Sequence, residues 1–115
     1  MKEETKTKTK AVKKKKEPVP TLEHLELLIS DEYELKKSIP IRVYRYDDGV
    51  TVIRSIELNL YAQDVTDYGA YREFSEVLID QLEDLETMVD EGEELGRALE
   101  IELSMLRRLL RKIQK

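Results

Sequence analysis

Apolar residues in this chain alternate first and later recur at helical spacing. Between Ile39 and Tyr46, the residues Ile39, Ile41 and Val43 share one parity, and Arg42, Tyr44 and Tyr46 share the other. That period of two predicts a half-buried strand. Pro40 has no N–H to offer a ladder, so the strand begins there or lies at an edge. Asp47-Asp48-Gly49 supplies turn chemistry, because glycine adopts the positive φ that tight hairpins need. Alternation resumes from Val50 to Gln63, with Val50, Val52, Ile56, Leu58, Leu60 and Ala62 on one parity and Glu57, Asn59, Tyr61 and Gln63 on the other. Arg54 falls on the apolar parity, which predicts a bulge or break near Ile53–Ser55 and leaves two strands or three.

The period then changes. Thr66 is a good N-cap and Asp67 suits a helix N-terminus. Tyr71, Phe74, Leu78, Leu82, Leu85 and Met88 make one stripe, predicting a helix to about Val89. Gly92 and Gly96 interrupt it, and Leu95, Leu99, Leu103, Leu106, Leu110 and Ile113 predict a final helix over 92–115. A turn near Asp90–Glu94 would pack the two helices antiparallel, whereas a helix swung outward would pair with a second subunit. The leucine spacing fits both, and Leu99, Leu103, Leu106 and Leu110 are the candidate contacts of a homodimer.

Upstream, Thr21 can cap a short helix, with Leu22, Leu25, Leu28 and Ile29 near helical spacing. A helix over 21–36 and a strand through Leu25–Ile29 both remain open. Residues 1–20 are Lys- and Thr-rich with Pro18 and Pro20, too poor in apolar groups to offset the entropy of ordering, and read as a disordered basic tail. The expected fold is α+β: one domain over 21–115, with a strand–strand–helix core at 39–89. An antiparallel sheet of two or three strands would be covered by a helix and followed by a long C-terminal helix.

Composition narrows the class. Charged residues are 39% of the 115, against roughly 25% in an average globular protein, and there is one Phe and no Trp. The core must be aliphatic and small, which favours an oligomer. With no Cys there is no disulfide framework. Residues 1–20 carry no apolar leader core, and no run approaches the roughly 20 apolar residues of a membrane span. A cytoplasmic protein is expected. A single Asn (Asn59), few Gln and high charge lean toward a thermophilic source.

Charge is unevenly distributed. Of the 20 Lys and Arg, eight fall in residues 1–20, beside three of the 25 Asp and Glu, so the tail is +5 and the remainder −10. Between Asp80 and Glu94 there is no Lys or Arg. Asp80, Glu83, Asp84, Glu86, Asp90 and Glu91 form a candidate docking patch for a basic protein, unless they are simply a solvated helix face. Their spacing matches no calcium loop. Lys13, Lys14, Lys15 and Lys16, with Arg107, Arg108 and Arg111, are the candidate nucleic-acid contacts. The arginines could instead complement the helix dipole or pair with Glu73, Glu76 and Asp80. His24, the only histidine, has no Cys nucleophile to serve. The chain reads as non-enzymatic, with no cofactor or metal set. Tyr44, Tyr46 and Tyr61 share one sheet face, either as a protein interface or packed under an N-terminal helix.

The run from Tyr46 to Ala70 resembles the core of HicB-like antitoxins, whose motif is a hairpin, a Glu-Leu strand, a Gln-Gly-x-Thr turn and a helix with Ala four residues after the Thr. Asp48-Gly49, Glu57-Leu58, Gln63, Thr66 and Ala70 match. Asn59-Leu60 stands where the family often has Pro-Gly, Asp64 replaces the turn glycine, Gly69 replaces a glutamate, and the Glu57–Thr66 spacing is one residue short. The resemblance implies a partial double-stranded-RNA-binding-type fold that does not bind RNA. It also implies a protein that blocks a small basic ribonuclease toxin. No DNA-binding module follows. A nucleic-acid-associated protein acting through the lysine tail is the alternative.

Overall fold

The computed structural model describes residues 17–114. Most of the expected disordered tail, including Lys13, Lys14, Lys15 and Lys16, lies outside them. Eight elements follow in order: β1 (Thr21–Leu25), β2 (Tyr33–Leu35), β3 (Ile39–Arg45), β4 (Thr51–Ser55), β5 (Tyr61–Asp64), α1 (Asp67–Asp90), α2 (Arg97–Leu109) and β6 (Leu110–Lys112). The fold is α+β, but the sheet has four strands. β1, β3, β4 and β5 lie antiparallel in that spatial order, and β2 pairs with β6 in a separate ribbon.

The fourth strand comes from the segment whose leucines also fitted a helix. Thr21 faces Val43 across the ladder and Leu25 faces Ile39, so β1 covers the outer edge of β3. Pairing satisfies the backbone of both strands, and that non-local gain overrides a weak local spacing. Leu25 and Leu28 enter the core, whereas Leu22 stays 69% exposed. β3 is consequently an inner strand, with Pro40 at its second residue.

Cross-strand partners share a face, so the registers assign every side chain. Leu25, Ile39, Ile41, Val43, Ile53 and Ala62 point inward to α1, which returns Ala70, Phe74, Leu78, Leu82 and Leu85. Phe74 and Leu78 have no exposed surface. The inward parity is odd in β4 and even in β5, because residues 56–60 form a bend between them. Arg54 on the apparent apolar parity thus marked a true break; Val52 and Arg54 point away from the core together. Ser75, fully buried on α1, accepts the Ile29 N–H (3.0 Å) and donates to the Tyr71 carbonyl (3.1 Å), fastening the β1–β2 loop.

The β3–β4 turn closes with Gly49 N–H donating to the Tyr46 carbonyl and Tyr46 N–H to that of Val50, with Gly49 at φ 96°. Such a left-handed position at the end of a type I hairpin turn suits glycine.

The last helix is shorter than its leucine spacing predicts. It ends at Leu109, and Leu110 takes extended angles to start β6. Lys36 caps it from outside, its N–H on the Leu109 carbonyl (2.7 Å) and its Nζ on that of Arg107 (2.8 Å). Pairing with β2 then sets Leu35 opposite Leu110. Leu103, Leu106 and Leu110 are buried in the chain's own core and Leu99 is half-buried, so the surface assigned to a homodimer is consumed within the protomer.

Thr66 caps α1 through Oγ1, which accepts the Gly69 N–H (2.9 Å) and donates to Asp64 Oδ2 (3.2 Å). A Cβ on Gly69 would collide with the Asp64 carboxylate and crowd Thr66 Oγ1. Asp64 thus fills the space that a side chain at position 69 would take, and the two identities are coupled. Gly69→Glu is expected to destabilise the protein by about 1–2 kcal/mol, the scale of a disrupted cap. Asp64→Gly/Gly69→Glu should recover part of that, with a coupling free energy on the order of 1 kcal/mol in a denaturant double-mutant cycle. Additive effects would show the two sites to be independent.

Candidate functional site

Because Phe74, Leu78, Leu82 and Leu85 turn inward, α1 presents Glu73, Glu76, Asp80, Glu83 and Asp84 to solvent, continuing through Asp90 and Glu91. From Glu73 to Glu91 the stripe runs about 27 Å at 1.5 Å per residue. Arg72 is the only cation in the helix, and its last turn has none.

Two of the six patch residues have internal partners. Glu83 accepts the Tyr33 hydroxyl (3.0 Å), and Glu86 pairs with Arg107 Nε (3.1 Å). Asp80, Asp84, Asp90 and Glu91 are exposed, and no ion pair engages them among the described residues. The arginine cluster is drawn apart. Arg111 pairs with Glu34 (2.8 Å), its cross-strand neighbour in the ribbon. Arg107 reaches Glu86, not the expected Glu73, Glu76 or Asp80, because α2 folds back on the C-terminal half of α1. Arg108 stays exposed beside Lys37 and Glu57. Exposed pairs like these contribute about 0–1 kcal/mol, so they compensate charge more than they stabilise.

A second polar group fastens the start of α1. Asp67 receives Arg45 Nε (3.0 Å to Oδ2) and the Thr51 hydroxyl (2.6 Å to Oδ1), and Arg45 also reaches Glu23 (3.5 Å). Tyr71 donates its hydroxyl to Glu23. The Arg45 hydrogen bond, then that of Thr51, holds the Asp67 carboxyl below the usual range, and the same contact raises Arg45. Each member is satisfied by another, which is the signature of a fastening. Among the described residues no three His, Cys, Asp or Glu side chains converge as metal donors, and no helix is long and apolar enough to cross a membrane. His24 sits exposed on β1, opposite Pro40.

The far face of the sheet was only half legible. Among the described residues no helix covers it; β1 stands where an N-terminal helix could have hidden the tyrosines. Nine strand positions point there: Leu22, His24, Pro40, Arg42, Tyr44, Val52, Arg54, Tyr61 and Gln63, with no Asp or Glu among them. Arg42 and Arg54 were missed. Their signal was two arginines at strand positions of the polar and apolar parity, brought onto one face only by the register of β3 on β4.

Burial, then the hydrogen bonds to Glu83 and Glu23, pushes Tyr33 and Tyr71 each up to about 12. Unfolded tyrosine ionises near 10. Below that pH both states keep the protons and the stabilisation is complete. Between about 10 and 12 only the unfolded chain loses them, so stability falls as pH rises. Absorbance titration should show two of the six tyrosines ionising late, and Tyr33→Phe/Tyr71→Phe should flatten the alkaline fall in unfolding free energy. Six tyrosines titrating together would contradict this.

No family model matches the sequence, and comparison with curated proteins and with solved structures finds no match.

Proposed function

We propose that this protein is a non-enzymatic interaction module that holds a small basic protein against the outward face of α1, in the manner of HicB-like antitoxins. One observation carries the reading: the acidic stripe works against the helix that bears it. Glu76, Asp80 and Asp84 repeat at i, i+4, and like charges at that spacing cost roughly 0.2–0.5 kcal/mol per pair. Asp90 and Glu91 stand at the C-terminus, where the helix dipole favours cations. Stability is thus spent on a surface that a cationic partner would relieve. Such a field also raises encounter rates and discourages polyanions.

The hairpin precedes the Thr66-capped helix as in the HicB-like pattern, but Glu57-Leu58 fall in the bend between β4 and β5 and Gln63 lies within β5. The coupling of Asp64 to Gly69 gives a local reason for two of the departures from that pattern. The C-terminal arginines lend less to a nucleic-acid role, since Arg107 and Arg111 face carboxylates of the same chain.

Co-expression with the small basic protein of a neighbouring reading frame is the test. A complex is expected, its association slowed about 10-fold or more at low salt by Asp80→Lys/Asp84→Lys/Asp90→Lys, with unfolding midpoint unchanged or raised. A neighbour that encodes no such protein, or association indifferent to the triple reversal, would overturn the reading.

A further inference from the structure

We propose that the open face of the four-stranded sheet binds single-stranded RNA. This surface lies on the opposite side of the sheet from α1, and the inference rests on neither the acidic stripe nor the HicB-like resemblance, which implies no RNA binding.

Leu22, Arg42, Arg54 and Tyr61 stand in one row, each directly opposite the next across β1, β3, β4 and β5. Like charges directly opposite one another on a sheet are destabilising. Arg42 and Arg54 nevertheless face each other, and among the described residues neither has an ion pair. Arg54 lies over the Tyr61 ring, 5.3 Å from its centroid, and Tyr61 is 56% exposed. The neighbouring row adds Tyr44 and Gln63 on either side of Val52. A purely solvated face would gain by placing an acid beside either arginine, in a chain whose residues 21–115 are net −10.

The chemistry selects the occupant. Two guanidinium groups without counter-ions take phosphates, and guanidinium planes and tyrosine rings also stack on bases. An acidic peptide would answer the charges but bring no planar base to stack on the ring of Tyr61, which is 56% exposed despite the Arg54 contact. Tyr44, Tyr61 and Gln63 bring hydroxyl and amide groups that can reach base edges and the ribose 2′-hydroxyl. Four strands about 4.8 Å apart make a row roughly 14 Å wide, suited to the two or three bases that such sheets stack. Lys16 precedes Thr21 by five residues, at most about 17 Å of chain. β1, which begins at Thr21, is the edge strand of this face.

The test is fluorescence anisotropy of a labelled oligouridine with the full chain, across a series of salt concentrations. Wild type is expected to bind with a clear salt dependence. Arg42→Ser/Arg54→Ser should weaken binding at least about 10-fold at low salt and reduce the slope of log K against log salt by about 1.4, at roughly 0.7 per phosphate. Its unfolding midpoint should stay close to that of wild type, since the removed repulsion offsets the lost Arg54–Tyr61 contact. Tyr61→Ala should weaken binding about 5- to 100-fold with the slope unchanged. Four results would overturn the proposal: an unaltered slope and affinity in the double variant; loss of all binding on deleting residues 1–16, with no effect of the arginines; equal affinity for single-stranded DNA or duplex RNA; or tighter binding of a Glu-rich peptide.

Discussion

The fold depends on the seating of one apolar stripe of α1, centred on Phe74, against the inner face of the four-stranded sheet. Phe74 is the only phenylalanine and no tryptophan is present, and the ring of Tyr33, also buried in the core, is tied through its hydroxyl to Glu83. Fully burying a side chain of this size contributes about 1.5–3 kcal/mol, and Leu78, Leu82 and Leu85 extend the contact along the helix. A single helix covers one side of a sheet. Among the described residues no helix covers the second side, in a two-layer arrangement with one core.

Everything else keeps that helix in place. At its start, Thr66, Asp64 and Gly69 form the cap, and Arg45, Asp67, Thr51, Glu23 and Tyr71 fasten it to the sheet rim. In its middle, Ser75 holds the loop after β1. Toward its end, α2 folds back, and the β2–β6 ribbon brings Tyr33 and Leu110 into the core. The result is a molecule with two outward surfaces of opposite sign. Acids line the solvent side of α1, and two arginines with two tyrosines mark the bare side of the sheet. On each surface like charges stand as neighbours, Asp80 and Asp84 on α1 and Arg42 opposite Arg54 on the sheet.

Much of this was legible in the residues between 39 and 90. The turn at Gly49, the cap at Thr66 and the inward stripe of α1 are local signals with strong mechanisms, and they appear where the pattern sets them. The flanks were not legible, because their states are decided by distant partners. Leu22, Leu25 and Leu28 fit a helix by spacing, but β3 needs an edge neighbour and recruits β1. Leu110 continues a helical leucine series, yet β2 draws it into a strand; no window around residue 110 contains that information. The same burial removes Leu103, Leu106 and Leu110 from any dimer surface. The acidic stripe could be read directly, since it lies along one helix. Arg42 and Arg54 could be brought together only by the register of β3 on β4.

The most direct measurement is a set of nuclear Overhauser contacts from the Phe74 ring in the full chain in solution. Contacts to the methyl groups of Ile41, Val43 and Ile53, with none to Val52 or Leu22, are expected if α1 roofs the inner face and leaves the other bare. Contacts to Val52 or Leu22, or helical contacts through residues 21–25, would contradict the account.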